Sequence, residues 1–193
     1  MTEYKNTKEK ILVQSLKLFS INGFEAVSIR TIADAVGIGN SALYKHYKSK
    51  REIFDSIVQM EKERYLQACS SAMEKMKDLE NVKKITLEMF KFQTTDESIV
   101  AFRRLLLIEK FRDPEIAEIY KNFFIDIPIQ YQIKIFKKLQ KNGLMIQGNA
   151  QVFAMELYSP FYLYHFVEFE PEKLFPLLKK HVEYFLEGHM IHK

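Results

Sequence analysis

The stretch SIRTIADAVGIGNSALYKHYKSKREIF, residues 28–54, decides how the chain folds at its N-terminal end. Ser28 suits a helix N-cap, and Ile29, Ile32, Ala33 and Val36 fall along one face of the short helix it would open. Gly37 to Gly39 then make a tight turn, and Asn40 to Tyr47 fit a third helix. Leu43 and Tyr47, four residues apart, share that helix's inner side. Asn40, Ser41, Tyr44 and Lys45 share its outer side. Ser49 can cap a longer fourth helix whose apolar set begins with Ile53, Phe54 and Ile57. Upstream, a first helix starts from Thr7 as N-cap, carries Leu12, Leu16 and Phe19 at helical spacing with Ile11 and Leu18 beside them, and ends at Asn22–Gly23. Three compact helices, with a glycine turn joining the second and third, describe a helix-turn-helix.

The outer side of the third helix has the chemistry of a polyanion reader. Asn and Ser offer donors and acceptors to base edges, Lys offers charge, and Tyr offers a hydroxyl to phosphate. Lys50 stands in the first turn of the fourth helix, where its ammonium and the free backbone N–H groups can meet one phosphate. A plain solvated helix is also polar, so periodicity alone leaves both readings open. Charge leans the same way. Residues 1–50 carry eight Lys/Arg against four Asp/Glu, so the net charge of +4 sits there and the remainder balances to zero.

Beyond residue 50 the pattern is helical throughout, over 50–78, 81–93, 98–111, 114–124, 127–142, 149–168 and 171–188. The fold expected is all-α, with a three-helix helix-turn-helix domain at 1–48 and a second helical domain at 49–193. The 47% hydrophobic content is enough for a core, and 6 Gly with 5 Pro argue against a turn-dense β fold. No apolar run approaches the ~18 residues of a membrane span, and the N-terminus has no signal-peptide pattern, so a cytoplasmic location is expected. The single Cys69 fits a reducing compartment and reads as a packed small residue. No Glu has a His three residues later, and the pairs His165/Glu168 and His189/His192 are two ligands each, too few for a metal site. With no phosphate loop or nucleophile elbow either, no cofactor, metal or catalytic residue is expected, and an enzyme is disfavoured.

At this point the quoted stretch resembles the N-terminal signature of TetR/AcrR-type transcriptional regulators. Its Ile32-Ala33, Gly37, Leu43-Tyr44, His46-Tyr47 and Ser49-Lys50 hold the family spacing across about residues 8–58. The resemblance implies sequence-specific binding to a double-stranded DNA operator, phosphate contacts from Tyr44 and Lys50, and a supporting role for His46. It also implies base contacts from Asn40, Ser41 and Lys45, and from Arg30 and Thr31 on the second helix. Gly39 stands where the family usually has a capping Ser, which leaves Asn40 to cap instead. Ser41 replaces a frequent Gly, and Tyr47 replaces the usual Phe, adding a hydroxyl that needs a partner if buried.

A reader of this kind works on palindromic sites as a two-fold dimer. The last two helices are apolar on more than one face, which suits two packing partners. Phe153, Leu157, Phe161, Leu174, Leu178, Val182 and Phe185 are the expected homodimer interface, with ordinary core as the alternative. Similar regulators hold a small-molecule pocket in the aromatic- and Met-rich middle. The candidates there are Phe102, Leu106, Glu109, Phe123, Tyr131, Met155 and Tyr158, for an apolar or cationic effector. Glu109 would either pair with Lys110 or Arg112 or await a cation. Helix 4, running from Lys50 into the body, would act as a lever that carries effector binding to the DNA heads. The rival reading is a helical protein–protein interaction module without DNA affinity.

Overall fold

The computed structural model describes residues 6–75, 79–166 and 169–191. Glu168 and His192, each half of a histidine pair considered above, lie outside these. In chain order the helices are α1 (Thr7–Asn22), α2 (Ile29–Val36), α3 (Asn40–His46), α4 (Lys50–Lys75), α5 (Leu79–Thr95), α6 (Glu97–Glu109) and α7 (Pro114–Lys121). A π-helical turn over Asn122–Asp126 follows, then α8 (Ile127–Lys141), α9 (Ala150–Tyr164) and α10 (Pro171–His189). Among the described residues there is no strand, only an isolated antiparallel bridge between Met145 and Met190. The all-α expectation holds.

The chain divides into two compact units. One comprises residues 1–65 and 97–120, the other 66–96 and 121–193, so α4 contributes to both. In the first unit, Ile11, Leu16, Phe19, Val27, Ile32, Val36, Leu43, Ile53, Phe54 and Ile57 are buried, the apolar stripes that the spacing predicts. Caps fix where its helices begin. The α1 cap is Asn6, one residue before the expected Thr7, and its side chain accepts the Glu9 N–H at 2.9 Å. Ser28 caps α2 as expected, accepting the Thr31 N–H at 3.1 Å. Ser49 Oγ accepts the Glu52 N–H at 3.0 Å while Glu52 Oε2 takes the Lys48 N–H at 2.6 Å, a reciprocal cap on α4. Lys10 Nζ donates to the Val36 carbonyl at 2.8 Å and so satisfies the C-terminal end of α2.

In the second unit the core gathers Val82, Ile85, Phe90, Phe136, Leu139, Leu157, Tyr158, Phe161, Leu174, Leu178, Val182 and Phe185. Lys83 and Glu183, 2.6 Å apart, tie α5 to α10, and the lysine holds the Glu183 carboxyl below the usual carboxylate range. The π-helical turn has a local cause. Pro128 has no N–H to give the carbonyl four residues back, that of Phe124, and its ring crowds that carbonyl. The chain widens there, with Ile127 N–H bonding to the Asn122 carbonyl, and the Tyr158 hydroxyl donates to Phe124 O at 2.7 Å. α9 continues as helix through Pro160.

The residues expected at the dimer interface receive a correction here. Leu157, Phe161, Leu174, Leu178, Val182 and Phe185 are each no more than 3% exposed in a single chain, covered by α5, α8 and each other, and Phe153 is half-buried. They form core. The two helices carry a second apolar set on the outside, Val152, Met155, Tyr162 and Leu163 on α9 and Leu177 and Tyr184 on α10.

Candidate functional site

The short helices α2 and α3 build the most distinctive surface of the first unit. Leu43 and Tyr47 are buried under α3, which turns Asn40, Ser41, Tyr44 and Lys45 outward, and all four are exposed. Gly37, at φ +77°, ends α2 in the left-handed conformation and passes the chain directly into the turn, its N–H bonding back to Ala33. Gly39 occupies the α3 N-cap position with no side-chain bond, so Asn40 does not cap and its amide stays on the outer face. Arg30 and Thr31 are also exposed, but the Thr31 hydroxyl lies 2.8 Å from Ser28 Oγ, inside the α2 cap. His46 is exposed at the end of α3, beside Lys45 and before Lys48. Chemically, this face offers amide, hydroxyl, phenol and ammonium groups and no acid on α3, a combination suited to phosphates and base edges.

Lys50 is placed differently from its neighbours. Its ammonium donates to the Phe24 carbonyl at 2.7 Å and the Glu25 carbonyl at 3.2 Å, and it lies 4.4 Å from the centre of the Phe24 ring. Next to it, Arg51 bonds Asp55 and Glu115, both at 2.8 Å, and these carboxylates raise its already high pKa. Tyr47 is 1% exposed, and burial pushes its pKa up to about 12. The nearby Ser56 hydroxyl offsets part of that shift, while the Tyr47 hydroxyl makes no hydrogen bond of full geometry among the described residues.

The residues expected to hold an effector fall in both units. Phe102, Leu106 and Glu109 are buried in the first. Glu109 accepts the Phe24 N–H at 2.9 Å, a partner from the end of α1 rather than the neighbouring Lys110 or Arg112. Phe123, Tyr131, Met155 and Tyr158 belong to the second unit, and two of them, Met155 and Tyr158, line an open groove of about 550 Å³. The π-helical turn and α8 form one wall with Ile125, Asp126, Ile129 and Gln130. α9 forms the other with Gln151, Met155, Ser159 and Tyr162. Lys121 pairs with Asp126 at its edge, 3.0 Å apart. Phe123 is core and Tyr131 lies 3.4 Å from Ser70 Oγ, so neither lines this groove. Ile125, Ile129 and Ser159 were missed by sequence reasoning, because the widened turn that presents the first two is set by a proline that local periodicity does not weigh. The fully buried Glu61 was missed too, held by Arg64 at 2.8 Å and Ser98 at 2.5 Å. Among the described residues, no three metal-ligating side chains come together and no helix is long and apolar enough to cross a membrane.

Comparison with known proteins agrees with the geometry of the first unit. Residues 11–57 match the family model "Bacterial regulatory proteins, tetR family". The HTH-type transcriptional regulator UidR of Escherichia coli K12 is 28% identical over 125 residues, which is 63% of this chain and 60% of UidR. The chain thus spans less than two thirds of that relative's length. Among solved structures, the TetR-family regulator PfmR of Thermus thermophilus has the same fold at TM-score 0.70 and 21% identity, over 92% of this chain and 97% of its own. SmeT, solved in complex with triclosan, matches at TM-score 0.75 and 16% identity, over 96% and 92%. The family model covers the helix-turn-helix that the exposed α3 face distinguishes, and the fold of a solved member extends over nearly the whole chain. Residues 11–57 thus carry the helix-turn-helix of the tetR family of bacterial regulatory proteins, and UidR, which the chain resembles beyond that segment, is a transcriptional regulator.

Proposed function

We propose that the protein is a sequence-specific DNA-binding repressor, working as a homodimer on a palindromic operator and released by a small apolar or cationic effector. One observation carries this reading: within a matched helix-turn-helix, α3 buries Leu43 and exposes Asn40, Ser41, Tyr44 and Lys45 as one continuous face. Tyr44 reaches phosphate, Asn40, Ser41 and Lys45 read base edges, and Arg30 adds charge from α2. The exposed apolar sides of α9 and α10, through Val152, Leu163, Leu177 and Tyr184, supply the dimer surface. The groove beside the π-helical turn supplies the effector site. Its Met155, Ile125, Ile129 and Tyr162 suit an apolar molecule, and Asp126 and Gln130 suit a polar or cationic end; SmeT, of the same fold, was solved in complex with the small molecule triclosan. α4 belongs to both compact units, which supports its role as the lever between effector and DNA.

The test is a titration against labelled duplex DNA from upstream of the protein's own gene, over a salt series, with Tyr44→Ala and Lys45→Ala alongside. A dimer that neutralises about eight phosphates gives a log–log salt slope near −7. Lys45→Ala costs about 1–3 kcal/mol on the operator and relaxes base preference where it reads. Equal, weak binding to operator and random DNA, with a stable dimer, would favour the protein-interaction reading instead.

A further inference from the structure

Lys50 is the residue whose placement departs most from what a DNA reader's surface needs. The peptide of Phe24, in the link between α1 and α2, is held at both ends by charged side chains. Its N–H donates to Glu109 Oε1 at 2.9 Å, and its carbonyl accepts from Lys50 Nζ at 2.7 Å. The same ammonium reaches the Glu25 carbonyl at 3.2 Å and sits 4.4 Å above the Phe24 ring. That ring packs edge-on against Phe19 of α1 and Phe54 of α4. Glu109 is only 4% exposed, so its carboxylate is committed to this contact. Gly23 makes room for it: at φ +82° it turns the chain out of α1, and a side-chain carbon there would stand 3.0 Å from Glu109 Oε1. Three helices, α1, α4 and α6, are thus joined through one residue's backbone.

The geometry points to Lys50 and Glu109 as a pair of positioning residues that fix the α1–α2 link, and with it the seating of α2 and α3. The Lys50 charge is spent on the Phe24 and Glu25 carbonyls, with the Glu25 carboxylate 4.0 Å away, and not on an operator phosphate. Charge-assisted hydrogen bonds to a half-buried peptide are stronger than neutral ones, and removing either partner leaves the other desolvated and unpaired. The consequence for operator affinity rests on the DNA-binding reading; the clamp itself does not.

The experiment compares the full-length wild type with Lys50→Met, Glu109→Ala and Glu109→Gln. Each is measured for hydrogen exchange at the Phe24 amide without DNA, and for operator affinity over a salt series, using duplex DNA enriched from a random-sequence library by the wild type. The Phe24 amide exchanges slowly in the wild type and at least about tenfold faster in Glu109→Ala, with Glu109→Gln, which keeps an oxygen acceptor, in between. Lys50→Met and Glu109→Ala each lower operator affinity about tenfold, and the Lys50→Met salt slope stays at the wild-type value. A slope shallower by about 0.9 per protomer in Lys50→Met, with Glu109→Ala binding as tightly as wild type, would make Lys50 a phosphate contact and overturn the assignment. If the wild type enriches no sequence, the regulator reading fails, and the exchange data alone decide the clamp. A Phe24 amide exchanging like a free loop amide in the wild type overturns it in that case.

Discussion

The α1–α3 segment and the α9–α10 pair draw on similar side chains, yet they spend them differently. In α1–α3 each helix has one apolar stripe and one polar face, so burying Leu43 and Tyr47 leaves a single polar surface, and that surface is the candidate reader. In α9 there are two stripes. Ala150, Ala154, Leu157, Tyr158 and Phe161 run along the inside, while Val152, Met155, Tyr162 and Leu163 stay exposed. Two apolar stripes on one helix suit two packing partners, and the proposed dimer would supply the second. The proposed DNA reader rests on the face that the first region leaves polar, and the proposed dimer on the face that the second leaves apolar.

The largest expected effect separates the two stripes of α9. Phe161 is fully buried and stacks on Phe90 and Tyr158. Phe161→Ala should lower the stability of the second unit by about 3–5 kcal/mol through lost contacts and a cavity. Leu163→Ala, at a position 61% exposed, should change the stability of the isolated chain by less than about 0.5 kcal/mol. Thermal melts over a hundredfold range of protein concentration check both. The Phe161→Ala deficit should be the same at every concentration, as a core defect requires; a deficit that vanishes on dilution would return Phe161 to an interface.

The same contrast shows why the sequence was legible in some places and not in others. Helices and their ends could be read, because period and caps are local: Ser28 caps α2 and α3 starts at Asn40, although Asn6 takes the cap expected of Thr7. The α3 outer face could be read for the same reason. Which side of α9 faces inward could not, since both stripes have helical spacing and only α5 and α8 decide between them. Glu109 was singled out as an acid in apolar surroundings, but its partner is a backbone amide 85 residues away, which no local pattern reveals. Lys50 was read from its place in the first turn, and the carbonyls it reaches lie 25 and 26 residues upstream.

A smaller effect sharpens the apolar side of the comparison. Leu163→Glu together with Leu177→Glu places carboxylates on the exposed stripes without entering the core. The double variant should keep the wild-type helical content and weaken dimerisation by about 10–100-fold, as loss of apolar anchors at an interface does. Sedimentation velocity over a concentration series reads this directly. An unchanged dimer would place the interface on another surface.

The smallest effect lies at Tyr47, where the apolar side of α3 carries one polar atom. Its hydroxyl is buried without a partner, so Tyr47→Phe removes a desolvated group and should leave the protein as stable or up to about 1 kcal/mol more stable at neutral pH. The pH dependence gives a sharper signature. Burial raises the folded-state pKa from 10.0 to about 12, so below pH 10 the phenol is protonated in both states and contributes no slope. Between pH 10 and about 12 the unfolded chain loses this proton and the folded chain keeps it, so unfolding releases a proton. Wild type should then lose stability relative to Tyr47→Phe by about 1.4 kcal/mol per pH unit across that window. Denaturant melts of the two proteins at neutral pH and at several points above pH 10 measure the difference. Parallel stability curves through that range would mean that the hydroxyl finds water or Ser56 in solution, and that the inner face of α3 is less sealed than its burial indicates.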